Sequence, residues 1–306
     1  MTDLQRRLLE LLKVFDKMCR DNDIQYYLTA GSLMGAVRHQ GFIPWDDDAD
    51  VIMSRANWEK FYEMSKTMLP DGLILNTQYD NIDLAMTANH LTETATTELY
   101  RYHVSHPEIL GVLLDVIIMD PVPENEEDRR NYSETITRHM ELTNFQYQYA
   151  LRQGHKVDFA KHWKDIEKRG KRTVVEELSK RAFGHSEEES RYYVQRFAGS
   201  PHFWPKELFG TPKYVPFEDT ELPIPERAED CLVIGFDDDW MYIPQSGAEK
   251  STHEFNVRNY NVPSTMIAKD FEDVIERDKL DEMLLKRKFL WDEEADRKFE
   301  DRKSVV

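Results

Sequence analysis

Four carboxylates, Asp46, Asp47, Asp48 and Asp50, fall within five positions at the mouth of an apolar run, Val51 to Met53. Like charges this close repel, and an unpaired carboxylate taken out of water is costly. A divalent cation relieves both penalties. Upstream lies a Gly-Ser pair, Gly31 and Ser32. Gly31 permits close backbone approach and Ser32 can bond a phosphate oxygen, so the pair can cradle a phosphate at the start of a short helix. Acids beside a phosphate cradle are the parts of a metal-dependent phosphoryl-transfer site.

Strand side chains alternate faces, so Asp48 and Asp50 project the same way in a strand over 48–53. Asp46, a substrate-binding candidate, joins that face if the strand begins early, and Asp47 does not. Oxygen-only donors favour Mg²⁺ or Mn²⁺ over zinc. Asp115 is the third metal and catalytic candidate, alone in the apolar run GVLLDVIIM. A buried Arg or backbone N–H groups could satisfy it instead. For the acidic run the plainer alternative is a calcium-binding or exposed turn, and flanking Trp45 and Val51 to Met53 oppose simple exposure. Arg38 and His39, between turn and acids, are candidates for contact with donor phosphates, with helix capping the alternative for His39. Asp237 to Asp239 read as a solvated turn; His253 and Arg258 are left without a role.

These side chains need elements to hold them. Leu4, Leu8, Leu11, Leu12, Phe15 and Met18 recur at helical spacing over residues 3–20. Residues 25–29 read as a strand, 33–39 as a short helix, 48–53 as a strand, and 55–69 as a helix capped by Ser54 and ended by Pro70 and Gly72. Further strands are expected at 73–77, 83–88 and 111–119, the last covered on both faces. Beyond the charged boundary 121–128, residues 126–199 carry helical periodicity for three helices. Residues 201–225 read as loop and short strand, 226–254 as helical in pieces, and the tail from 263 as a surface helix. The fold class is therefore α/β (α+β). Residues 1–125 form a catalytic core, and 126–306 a mainly helical region completing the substrate cleft, including segment 209–255.

Composition narrows the partners. A formal net charge of −18 over 306 residues excludes nucleic acid as a macromolecular partner, since phosphate backbones are held by clustered Lys and Arg. A single nucleotide remains allowed, because a metal can neutralise its phosphates. The basic stretch 161–172 reads as a solvated helix face. No run approaches the roughly 18 consecutive apolar residues of a membrane span, and the charge-threaded N-terminus is an amphipathic helix rather than a signal peptide. Two cysteines, Cys19 and Cys231, are too few for a disulfide framework or a four-cysteine zinc site. A cytoplasmic location is expected.

The segment GSLMGAVRHQGFIPWDDDADV closely resembles the signature of the LicD family, a branch of the nucleotidyltransferase-fold superfamily that includes the fukutin-related proteins. The likeness extends to LLDVIIMDPVP at 113–123, similar to the family's third-carboxylate strand, and to FEDTELPIPERAEDCLVIGFDDDWMYIP at 217–244. IGFDDDWM departs there from a Tyr-Gly-Asp-Tyr-Met-like run. Lacking the zinc-motif cysteines of the fukutin-related branch, the chain looks like the bacterial type. The resemblance implies a nucleotidyltransferase-like mixed β-sheet flanked by helices, with a largely helical C-terminal part. It implies transfer of a phosphocholine-like or phospho-polyol group from a CDP-linked donor to a hydroxyl of a glycan or lipid-linked glycan, releasing CMP. Metal would sit on Asp48, Asp50 and Asp115, the donor phosphates on Gly31 and Ser32, with peripheral contact at the inner membrane face. Two alternatives are a nucleotidyltransferase that uses an NTP and releases pyrophosphate, and a catalytically silent binding protein of the same fold.

Overall fold

The computed structural model describes residues 1–80, 88–100, 110–129, 132, 135, 165, 168–195, 202–243 and 255–267. Helix α1 (Asp3–Asp21) opens with a capping box: Thr2 Oγ1 accepts the Gln5 N–H, and Gln5 Oε1 accepts the Thr2 N–H. Its expected apolar stripe, Leu4 through Met18, is buried. Phe15 anchors that stripe, edge-on to Tyr26 at 4.9 Å between ring centres and 4.8 Å from Phe61. Burying such a side chain stabilises the fold by about 1.5–3 kcal/mol.

Strand β1 (Tyr27–Leu28) leads into helix α2 (Ala30–His39), three residues earlier than its expected start. The Gly-Ser pair therefore lies in the helix's first turn. Strand β2 (Asp50–Ser54) begins two residues later than expected, so Asp48 stands in the loop before it. Ser54 Oγ accepts the Asn57 N–H and caps helix α3 (Arg55–Met68), as its position suggested. Strand β3 (Leu73–Asn76) follows as expected. Of the strand expected over 83–88, residues 83–87 lie outside the described residues, and β4 (Asn89–Glu93) begins just after it.

Strand β6 (Leu113–Val122) is the spine of the main sheet, ordered β1-β2-β6-β4-β3. Beta-2 and β6 run parallel, while β1 on β2, β4 on β6 and β3 on β4 are antiparallel. The mixed sheet and flanking helices agree with the sequence expectation. Helix α4 (Lys171–Phe183) lies in the stretch read as helical, but β7 (Tyr192–Gln195) replaces helix at its end. Beta-7 pairs with the far half of β6, and β8 (His202–Pro205) pairs with β7, so chain from beyond residue 125 extends the same sheet. The cause is β6 itself: ten residues long, it outruns β4 and leaves the backbone edge of Met119 to Val122 for another strand to pair.

Two ribbons flank this sheet. One is β9 (Lys213–Phe217) with β10 (Thr220–Ile224), followed by helix α5 (Ala228–Phe236). The other pairs β5 (Thr97–Tyr100) with β11 (Phe255–Asn259). Among the described residues no helix is long and apolar enough to cross a membrane. The tail expected as a surface helix is described only at Ser264–Ile267, which is helical.

Candidate active site

The parallel pairing of β2 with β6 sets Asp50 directly opposite Asp115. Next on the other side, β4 sets His90 opposite Asp115. One cross-section of the sheet thus carries Asp50, Asp115 and His90 side by side. His90 Nε2 lies 3.1 Å from Asp115 Oδ1, yet no aligned hydrogen bond satisfies that buried oxygen or the ring's Nδ1. A buried carboxylate oxygen without a donor is costly and marks a place where a ligand belongs.

Asp50 is 4% exposed. Burial pushes its carboxyl well above the usual range, and the charges of Asp48, Asp115 and Asp46 push it further. Four acids therefore feel one another, which is the electrostatic signature of a site completed by positive charge. All their donors are oxygens, which suits Mg²⁺ or Mn²⁺. The donor chemistry and the orphaned Asp115 oxygen fit such a cation, although among the described residues no three acid, His or Cys side chains stand as a ready-made cage.

The acidic loop is held from several directions. Gln5, 2% exposed, donates its side-chain amide to the carbonyls of Ile43 at 3.1 Å and Asp46 at 3.0 Å. Glu218, in the turn between β9 and β10, accepts the Phe42 N–H, and its own N–H bonds Gln40. Ala49 accepts the Asp115 N–H at 2.9 Å, which aligns the loop end with β6. Arg258 on β11 donates to Asp47 at 3.0 Å. Neither Gln5 nor Arg258 was assigned this duty from sequence. Arg258 lies 211 positions from its partner.

At the start of α2 the backbone is strained: Ala30 has φ +47°, a left-handed conformation costing about 1–2 kcal/mol in a non-glycine residue. Such strain gathers at functional turns. Gly31 leaves room for the Asp46 carboxylate, whose Oδ2 would stand 2.5 Å from a β-carbon placed there. An anion already rests at the helix start, where free N–H groups point. Ser32, 1% exposed, accepts the Asp50 N–H at 2.9 Å. Its oxygen ties α2 to β2, a duty the expectation of phosphate contact did not include.

Arg38 and His39 sit at the opposite end of α2, about 12 Å along the axis from Ala30 at 1.5 Å per residue. Arg38 Nε donates to His39 Nε2 at 2.9 Å, and Nη1 to the Trp240 carbonyl at 2.9 Å. Burial and the neighbouring guanidinium pull His39 below the usual imidazole range. Their described hydrogen-bond partners are therefore each other and the turn after α5, and the His39 ring also meets Trp45 edge-on. Asp237, Asp238 and Asp239 are exposed in that turn, in keeping with a solvated role. Within the basic stretch Arg169 pairs with Asp165 and Glu177. His253 lies outside the described residues.

Residues 23–165 match the family model described as LicD/FKTN/FKRP, nucleotidyltransferase domain. The chain is 46% identical over 56 residues to the lipopolysaccharide cholinephosphotransferase LicD of Haemophilus influenzae, covering 18% of this chain and 21% of that protein. It is also 48% identical over 44 residues to an uncharacterised protein of Rickettsia prowazekii, covering 14% of this chain and 16% of that one. The matched stretch thus spans about a fifth or less of either relative's length.

Proposed function

We propose, on the premise that residues 23–165 form a LicD-family nucleotidyltransferase domain, that the chain transfers a phosphorylated small group from a CDP-linked donor to a glycan hydroxyl. The transferred group is phosphocholine-like or a phospho-polyol, and CMP leaves. The observation that supports this most is the facing of Asp50 and Asp115 across β2 and β6, with Asp115 Oδ1 buried and, although 3.1 Å from His90 Nε2, making no aligned hydrogen bond.

Asp48, Asp50 and Asp115 would hold Mg²⁺ or Mn²⁺. When bound, the cation offsets the negative charge of the donor diphosphate and of the departing CMP. The chain's own residues do the rest. Backbone N–H groups at Gly31 and Ser32 receive the donor phosphate once Asp46 swings away. Asp115 orients the acceptor hydroxyl and takes its proton as the oxygen attacks phosphorus. The bond between that phosphorus and the bridging oxygen breaks, and CMP carries away the bond's electron pair. His90 keeps Asp115 in place from β4. The acceptor is a glycan or lipid-linked glycan, and the enzyme works in the cytoplasm, at the inner membrane face when the acceptor is membrane-borne.

Incubation with CDP-choline and a glycan acceptor, and separately with CTP, tests the assignment. Release of CMP from the first supports it. Release of pyrophosphate from CTP, without CMP, would replace it with nucleotidyl transfer, and neither product would point to a silent binding protein.

A further inference from the structure

We infer that Arg258 is a positioning residue that clamps together the two chain segments carrying the cation-binding carboxylates; the inference rests on the metal reading of the same site. Arg258 stands on β11 directly opposite Glu98 on β5. Its Nε lies 2.9 Å from Glu98 Oε1, and its Nη2 lies 3.0 Å from Asp47 Oδ2. The Glu98 side chain is 3% exposed and that of Asp47 is 11% exposed. One guanidinium therefore spans two largely buried acids, hydrogen-bonded to Asp47 and in ion-pair contact, without an aligned hydrogen bond, with Glu98 Oε1.

Each acid anchors a different half of the site. Asp47 lies three residues before Asp50, in the loop entering β2. Glu98 belongs to the segment that steers the chain into β6. Its N–H bonds the Leu110 carbonyl at 3.1 Å, and Thr96 Oγ1 accepts the Val112 N–H at 2.8 Å. Val112 is three residues before Asp115. Arg258 thus closes a bridge between the approaches to Asp50 and Asp115. It also occupies Asp47, the acid of the run whose charge is not among those acting on Asp50. The remaining acids, Asp46, Asp48, Asp50 and Asp115, are those whose charges meet at Asp50.

Removing the guanidinium outright changes charge as well as geometry, and a lost positive charge would by itself favour cation binding. Arg258→Lys separates the two, because an ammonium keeps the charge but cannot fork between both acids. The test is titration of the full chain with MnCl₂ or MgCl₂, followed by melting temperature, with no turnover involved. The wild type gains stability on titration. In Arg258→Lys the midpoint rises about tenfold or more, as expected when support of a ligand shell is lost. Asp47→Asn shifts the midpoint in the same direction, and the double variant does no worse than either single one.

A midpoint in Arg258→Lys equal to the wild type's overturns the inference, even if the cation-free protein melts lower, because the role is then structural only. If the wild type itself responds to neither cation, the metal reading fails and takes this inference with it. The wild-type curve therefore separates the two failures.

Discussion

Asp50 and Asp115 are direct partners across parallel strands, so the distance between their carboxylates is governed by strand spacing rather than by loop geometry. Asp50→Asn and Asp115→Asn should each lower CMP release by about 10²-fold or more. Both should do so without unfolding the protein. Burial and the neighbouring acids push the Asp50 carboxyl above its usual range, and the amide keeps its shape while removing the charge. Parallel measurement of turnover and melting temperature checks this; wild-type turnover in Asp50→Asn would remove the metal mechanism.

Gly31→Ala places a methyl group against the Asp46 carboxylate. That carboxylate is the end of a side chain and can rotate away, so the loss of stability should stay near the lower end of the about 1–3 kcal/mol usual for overpacking. The methyl still narrows the helix start. The KM for CDP-choline should rise about tenfold with a smaller change in kcat. Steady-state kinetics at saturating metal provides the comparison; an unchanged KM would show that donor phosphate binds elsewhere.

Arg55 and Asp120 form a buried two-pronged ion pair, with Nε–Oδ1 at 2.7 Å and Nη2–Oδ2 at 2.9 Å. The attraction of Asp120 raises the guanidinium's pKa against the opposing effect of burial, the larger single influence. Asp120→Asn leaves that cation buried without its counter-charge and should cost about 3–5 kcal/mol. Urea unfolding reads this as a lower midpoint at unchanged slope. Turnover per folded molecule should hold, because Asp120 faces Arg55 rather than the acids.

The His39 imidazole is depressed, first by burial and then by Arg38. Its unprotonated Nε2 accepts the Arg38 N–H. Between the unfolded pKa near ~6.5 and the lower folded value, the unfolded chain binds more protons. Stability from this group is thus complete above that pH and falls away as pH drops through the window. His39→Gln should flatten the slope of melting temperature against pH there. A slope identical to the wild type's would show that His39 takes no part.

How much of this was legible in the sequence follows from what carries each feature. Period and punctuation placed α1, α3 and β6, because each buries a regular stripe or an apolar run, and β3, half-buried, follows the Pro70–Gly72 break. Asp115 was visible because a lone acid in such a run needs a reason. Beta-7 was not, since its cause is the uncovered edge of β6, a property of the assembled sheet. His90 escaped notice because only the β4–β6 register brings it beside Asp115. Ser32 showed its residue type but not its partner: a hydroxyl can serve phosphate or backbone, and the entry to β2 decided the matter. Arg258 shows the same limit at longer range, since charge alone does not say which acid it meets.

Sixty-five positions of chain separate Asp50 from Asp115, yet the two meet as nearest neighbours. Parallel pairing over such a separation requires closure of a long loop before any contact rewards it. During synthesis, helices α1 to α3 can form early, but the pairing of Asp50 with Asp115 has to wait until the ribosome has released β6. Chain folded up to that moment would carry an exposed strand edge and a repelling set of acids, which makes the arrival of residues 113–122 the step at which the facing acids and protection from aggregation are gained together.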